Sequence, residues 1–347
     1  MAGSDPARRS SEPELVIVGA GPVGLYACYY AGFRGLDTVL VEALHATGGQ
    51  ISAFYADADI FDVPGFPRVA GRDLASALER QALQFGAELR CGRSVRTIER
   101  DGDRLRVDAT VGTSEGAVES IRTPAVLLTA GIGPFAPQHV KDAAIDAFAG
   151  RGLAYDEPDL ESIRGRRVMV LGGSTEAVAR ARALAVAAAA VFLVHRRDRL
   201  PANRDGADAL AGSSVQFLPF RELEALEGET AVRAAVLVDR RSGEPERIEV
   251  DLVLPRFGYA AKGDALRSLG AGTDGTIAVD SSMATSMPGV WAAGDLAVYP
   301  GKVKVLAAAF GEACTAVNNI AHQVIPGAPV FPGYSSHSGG APRRPKR

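Results

Sequence analysis

The chain has 347 residues, more than one hydrophobic core usually serves, so two domains are expected. Its 47% apolar residues suffice for packed cores, and a net charge of -3 excludes a strongly basic nucleic-acid or membrane-surface binder. No stretch reaches the roughly 18 to 20 uninterrupted apolar residues of a transmembrane helix, the longest candidate being 183–194.

In chain order, residues 1–12 are polar, lack the apolar core of a signal peptide and read as a disordered leader; a cytoplasmic location is the default expectation. The apolar run at 15–18 ends in GAGPVG, residues 19–24. A helix-like stretch to about Gly32 follows, then a second apolar run, TVLVE, ending at Glu42. The order is strand, glycine turn, helix, strand. Gly19 allows the tight turn, Gly21 lets the backbone approach a pyrophosphate, and Gly24 keeps the third position small enough for helix and strand to pack. The N–H groups and positive dipole at the helix start then hold the phosphates.

The same plan returns at 168–171. There VMVL runs into GGSTEA, residues 172–177, then an alanine-rich helix and VFLVH, which ends at His195. His195 stands 23 positions after Gly172, as Glu42 stands 23 after Gly19. In this copy Gly172, Ser174 and Ala177 take the three positions, with Gly173 inside the turn. Ser174 places a hydroxymethyl group where bare backbone is expected.

The residue closing the second strand of such a unit meets the adenosine ribose. An acid accepts from free hydroxyls, whereas cations accommodate a 2′-phosphate. Glu42 therefore suits a nucleotide with an unmodified ribose, such as FAD, and His195, Arg196, Arg197 and Arg199 suit NADPH. Two alternatives stay open: the second glycine turn is a structural relic, or the arginines form a solvated face.

The longer blocks carry a resemblance. They are VIVGAGPVGL at 16–25, GGQISAFYADADIFDVPGFP at 48–67, LLTAGIGPF at 127–135, HRR at 195–197 and WAAGDLAVYPGKVKVLAAAFGEACTAVNNI at 291–320. Over about 14–336 the chain resembles the two-dinucleotide-domain flavoproteins, and within them the thioredoxin-reductase-like ferredoxin–NADP reductases. The resemblance implies an α/β chain of two Rossmann-like, three-layer ββα dinucleotide-binding domains. The FAD domain would cover 13–133 and 286–326. The NAD(P)H domain, 134–285, would be inserted in it, with crossings near 133–136 and 284–288. A C-terminal extension, 327–347, would end in disorder.

By the same resemblance Gly49 and Gln50 lie in the turn beside the flavin, Asp295 meets the ribitol hydroxyls, and Val95, through its backbone, and Phe135 line the FAD site. Tyr55 would cover one face of the isoalloxazine. Tyr334, supplied by a partner subunit in a homodimer, would cover the other, and Ser336 would reach the ring. The implied reaction moves hydride from NADPH to FAD and single electrons on to ferredoxin, with no obligatory side-chain acid or base and no metal.

Ferredoxins are generally acidic, which makes Lys302, Lys304, Arg343, Arg344 and Arg347 candidates for a docking face. Thioredoxin reduction is excluded on chemical grounds: no cysteine lies between Cys91 and Cys314, and no C-x-x-C occurs. The three cysteines read as small apolar residues. Where the family carries other residues, this chain has Ser174, Thr175, Pro201, Ile132 and Cys314. These departures sustain an alternative, a flavoenzyme of the same fold acting on a small organic substrate with weak or lost NADPH use. A third reading is a flavin-binding redox sensor.

Overall fold

The computed structural model describes residues 12–56, 58–112, 116–133, 135–155, 158–200, 210–261, 266–334 and 336, with the backbone alone for 135–137 and 259–261. Two compact units emerge, Met1–Pro134 with Ala261–Arg347, and Phe135–Ala260.

In the first unit the strands Val290–Ala292, Val126–Leu128, Leu15–Val18, Thr38–Val41 and Glu88–Arg90 lie side by side in that order, all parallel. Leu15–Val18 is an unbroken apolar run because both faces of this sheet are covered. Side chains alternate along a strand, so neighbours in sequence enter different cores. Leu15, Ile17, Leu127 and Trp291 pack among Leu25, Leu78, Ala313 and Ile320 of the helices Pro22–Phe33, Gly71–Leu83 and Leu306–Val324. Val16, Val18, Leu128 and Val290 pack instead against Val95, Leu105, Val107 and Ile121 of an antiparallel sheet, Arg93–Asp101, Arg104–Val111 and Val118–Thr123. Sheet, sheet and helices make three layers.

The second unit repeats the scheme on a smaller scale. Its parallel strands run Val215–Pro219, Ala190–His195, Arg167–Leu171 and Leu252–Pro255. Val168, Val170, Leu193 and Leu254 meet the helix Thr175–Leu184 through Ala177, Ala181 and Leu184. Met169, Leu171, Val194 and Val253 meet Leu226, Ala235 and Leu237 of an antiparallel sheet, Arg221–Glu227, Ala234–Asp239 and Pro245–Glu249.

The chain leaves the first unit after residue 134 and returns at 261, earlier than the 284–288 expected from sequence. Leu266, Ile277 and Met283 explain the difference, since all three are buried in the cores of the first unit. The short strand Ile277–Ala278 also pairs with Ala297–Val298 there. The C-terminal extension starts from a fixed point as well: the buried Arg34 donates to the carbonyl oxygens of Pro329, at 2.7 Å, and Val330, at 3.0 Å. Among the described residues no helix is long and apolar enough to cross a membrane.

Candidate functional site

Each glycine turn leaves the C-terminal end of an inner parallel strand, where ligands of such sheets bind. In the first unit the three glycines have three different reasons to be glycine. Gly19 has φ +105°, and a Cβ on it would lie 2.7 Å from the carbonyl oxygen of Thr129. A Cβ on Gly24 would lie 1.8 Å from the carbonyl oxygen of Gly19, so helix and turn touch. A Cβ on Gly21 would meet nothing within 4 Å. That open side is the place a pyrophosphate would fill. Pro22 opens the helix, where its missing N–H removes no bond.

Glu42 follows the second strand and is only 7% exposed. Its Oε2 accepts from the Ala20 N–H at 2.6 Å and its Oε1 from the Leu44 N–H at 2.8 Å. The carboxylate thus ties the glycine turn to the strand end and retains lone pairs for a ribose hydroxyl. Burial pushes its pKa up, against the pull of the Leu44, Ala20 and Ala43 N–H groups. A carboxyl raised by folding lets the folded state hold more protons, so its contribution to stability falls as pH rises from the ordinary value of 4.5 through the folded one. The melting temperature of flavin-free protein, measured against Glu42→Gln, is therefore expected to lose ground as pH rises through that window. Parallel profiles would show that Glu42 does not titrate there.

Around this core the predicted residues are placed unevenly. Gly48 donates its N–H to the Ala20 carbonyl at 2.8 Å, and a Cβ on Gly49 would sit 3.0 Å from the Gly21 Cα, which brings the GGQ turn against the glycine turn. Gln50 reaches toward Gly131, where an added Cβ would lie 3.4 Å from its Nε2. Asp295 is half-buried in the 3-10 turn Gly294–Leu296 that follows the strand Val290–Ala292, and its carboxylate has no hydrogen-bond partner among the described residues. Val95 is buried in the core. Tyr55 is 52% exposed. Tyr334, 66% exposed, packs edge-on to Phe331, and Ser336 is exposed as well. Phe135 lies on the strand Phe135–Pro137, and its side chain falls outside the described atoms.

In the second unit Gly172 has φ +150° and its Cβ position lies 2.4 Å from the carbonyl oxygen of Arg256, while a Cβ on Gly173 would strike the His195 ring at 2.5 Å. Ser174 takes the N-cap position of the helix Thr175–Leu184. Its Oγ accepts from the Ala177 N–H at 3.2 Å and caps the helix, which removes one N–H from phosphate binding. Ala177 is fully buried, as the small third position requires.

The His195 Nε2 is buried without a partner. Burial, followed by the charges of Arg196 and Arg197, holds the imidazole below its usual range, so it is neutral at pH 7. Arg196, Arg197 and Arg199 are exposed, with no ion pair among the described residues. Gly172, Gly173, Ser174, His195, Arg196 and Arg256 line a depression of about 780 Å³. Open volume, an orphaned donor or acceptor and unpaired cations together fit a phosphorylated dinucleotide. Pro201 lies outside the described residues.

Three residues escaped sequence reasoning. Arg256 is buried, donates to the carbonyls of Tyr155 and Pro255 and backs the second glycine turn. Its signal was a cation directly after the apolar strand LVLP. Glu312 and Tyr299 join Lys302 beneath the Asp295 turn. Lys302, expected as a docking cation, has a side chain only 6% exposed and is ion-paired to Glu312, so it is not a docking residue. The signal for Glu312 was a lone carboxylate in the apolar helix Leu306–Val324. Lys304 is exposed, and Arg343, Arg344 and Arg347 lie outside the described residues.

Comparison with known proteins agrees with this geometry. The model of the pyridine nucleotide-disulphide oxidoreductase family matches residues 13–313. The ferredoxin–NADP reductase of Saccharopolyspora erythraea is 43% identical over 333 residues, covering 94% of this chain and 98% of that one. The Thermus thermophilus ferredoxin–NADP reductase is 37% identical, with 93% and 96% covered. In fold, the thioredoxin reductase of Lactococcus lactis is similar with a TM-score of 0.68 at 22% identity, covering 90% of this chain and 99% of that one. The two nucleotide-fitting units and these likenesses agree: the chain belongs to the pyridine nucleotide-disulphide oxidoreductase family.

Proposed function

We propose that this protein is an FAD-dependent NADPH oxidoreductase that delivers electrons to a ferredoxin, a ferredoxin–NADP reductase. The observation that carries the reading is one chain with two glycine turns of the same plan and opposite charge after the second strand, Glu42 in one unit and, following His195, Arg196 and Arg197 in the other. Bound FAD and NADPH supply the hydride and single-electron chemistry.

The protein binds, orients and shields. The backbone of 19–24 receives the FAD pyrophosphate, Glu42 accepts from the ribose, and Asp295 accepts from the ribityl chain. Gly49 and Gln50 border the flavin, the Val95 backbone lines its site, and the exposed Tyr55 ring covers one face. In the second unit Arg196 and Arg197 neutralise the 2′-phosphate, Arg199 adds charge behind them, and neutral His195 offers one ring nitrogen to the ribose end. Gly172, Gly173 and Ala177 shape the turn for the NADPH pyrophosphate, with Ser174 as helix cap. Tyr334 and Ser336, exposed on the extension, suit the flavin of a second copy of the chain; the molecular mass in solution tests that homodimer.

Anaerobic stopped-flow mixing of the flavin-loaded protein with NADPH and with NADH is the direct test. Fast bleaching of the flavin band by NADPH, slow bleaching by NADH and onward reduction of a ferredoxin are expected. No bleaching by either nucleotide would sink the reading. Bleaching followed by transfer to an organic acceptor but not to ferredoxin would favour the small-molecule flavoenzyme instead.

A further inference from the structure

We infer that Lys302, Glu312 and Tyr299 form a positioning unit for the flavin, setting FAD retention through Asp295, a role that rests on the placement of Asp295 proposed above. The unit closes on one peptide group after another around Gly294, the residue immediately before Asp295. The Gly294 N–H donates to Glu312 Oε2 at 2.8 Å, and the Gly294 carbonyl accepts from Lys302 Nζ at 2.9 Å. Glu312 Oε1 accepts from the Tyr299 hydroxyl at 2.7 Å and from Lys302, which is also ion-paired to it. Lys302 and Glu312 have side chains only 6% and 4% exposed.

Three facts distinguish this cluster from ordinary packing. A buried ion pair seldom stabilises a fold more than apolar side chains of the same volume would, so its presence calls for another use. Both of its charged ends terminate on the same residue. That residue has φ +79°, a left-handed backbone that must be held if the next side chain is to point one way. Asp295 itself has no partner among the described residues, so its direction depends on the turn rather than on contacts of its own. A carboxylate meeting a polyol tolerates little displacement, because hydrogen bonds weaken steeply with distance and angle. Lys302 and Glu312 thus reach the flavin indirectly, by fixing where Asp295 stands.

The test is a double-mutant cycle on FAD affinity, read by quenching of flavin fluorescence on titration into flavin-free protein. Asp295→Ala and Lys302→Met are each expected to raise the FAD Kd about tenfold or more, and the Asp295→Ala/Lys302→Met pair little further than Asp295→Ala alone. Tyr299→Phe, which removes one hydroxyl and leaves the ion pair, is expected to raise it about two- to threefold. Should Lys302→Met fail to fold, the same cycle is run with Tyr299→Phe and Asp295→Ala. An unchanged Kd in Lys302→Met, or effects that simply add to those of Asp295→Ala, would overturn the positioning role while leaving the flavin site standing. An unchanged Kd in Asp295→Ala would overturn the placement of Asp295, and the positioning role with it.

Discussion

Gly24→Ala is expected to yield a protein that no longer retains FAD, with affinity lower by at least about 100-fold, the equivalent of the roughly 3 kcal/mol at the upper end of overpacking penalties. The added methyl carbon would lie 1.8 Å from the Gly19 carbonyl oxygen and 2.7 Å from Thr129 Oγ1. Neither neighbour is free to yield. The Thr129 hydroxyl donates to the carbonyls of Val18 and Gly19, at 3.1 and 2.8 Å, and the Gly19 N–H is bonded to the Val41 carbonyl at 2.8 Å. Gly19 itself is pressed against the Thr129 backbone. The helix Pro22–Phe33 must therefore move off the strand, and the N–H groups at its start move with it.

Gly21→Ala makes the informative contrast. Its methyl group meets nothing within 4 Å, so flavin-free protein should melt as the parent does, yet FAD should still bind poorly because the methyl occupies the pyrophosphate side. Bound flavin per chain from the absorption spectrum, with thermal melts of the flavin-free proteins, separates the two. A Gly24→Ala protein that purifies fully yellow with an unchanged melt would show that the turn is not built as described.

The second large effect concerns nucleotide choice. The Arg196→Ala/Arg197→Ala double variant is expected to raise KM for NADPH by on the order of 100-fold while leaving NADH use nearly unchanged, since each hydrogen bond to a charged group is worth roughly 1.5 to 3 kcal/mol. Both side chains are exposed and carry no ion pair among the described residues, so their removal costs the fold little. Burial first, and their positive charge second, hold the His195 imidazole below its usual range, so without them it should titrate somewhat closer to that range. Equal losses for NADPH and NADH would mean that the arginines do not read the extra phosphate. No loss for either would make them a solvated face, the alternative that the sequence leaves open.

Much of the site was legible because a dinucleotide-binding unit is local. Turn, helix and second strand fit within the 23 positions from Gly19 to Glu42 and again from Gly172 to His195, each directly after its first strand, and hydrophobic periodicity marks each part. The acid at one strand end and the cations at the other needed no tertiary knowledge, only the rule that the strand end meets the ribose. Ser174 was harder. From sequence it is an obstacle in a phosphate turn, but the helix needs a cap and the hydroxyl supplies it.

The sequence by itself determined two α/β units, the identity of the glycine turns and the charge at the end of each second strand, since these depend on residues close together in the chain. Only the tertiary structure decided the rest. It returned the chain to the first unit at 261 rather than 284–288, because Leu266, Ile277 and Met283 bury in a core assembled from strands far away in sequence. It also turned Lys302 from a surface charge into half of a buried pair, because Glu312 comes up beneath it on a helix. Whether a charged side chain is solvated or enclosed depends on what the fold packs against it, and a local pattern does not carry that information.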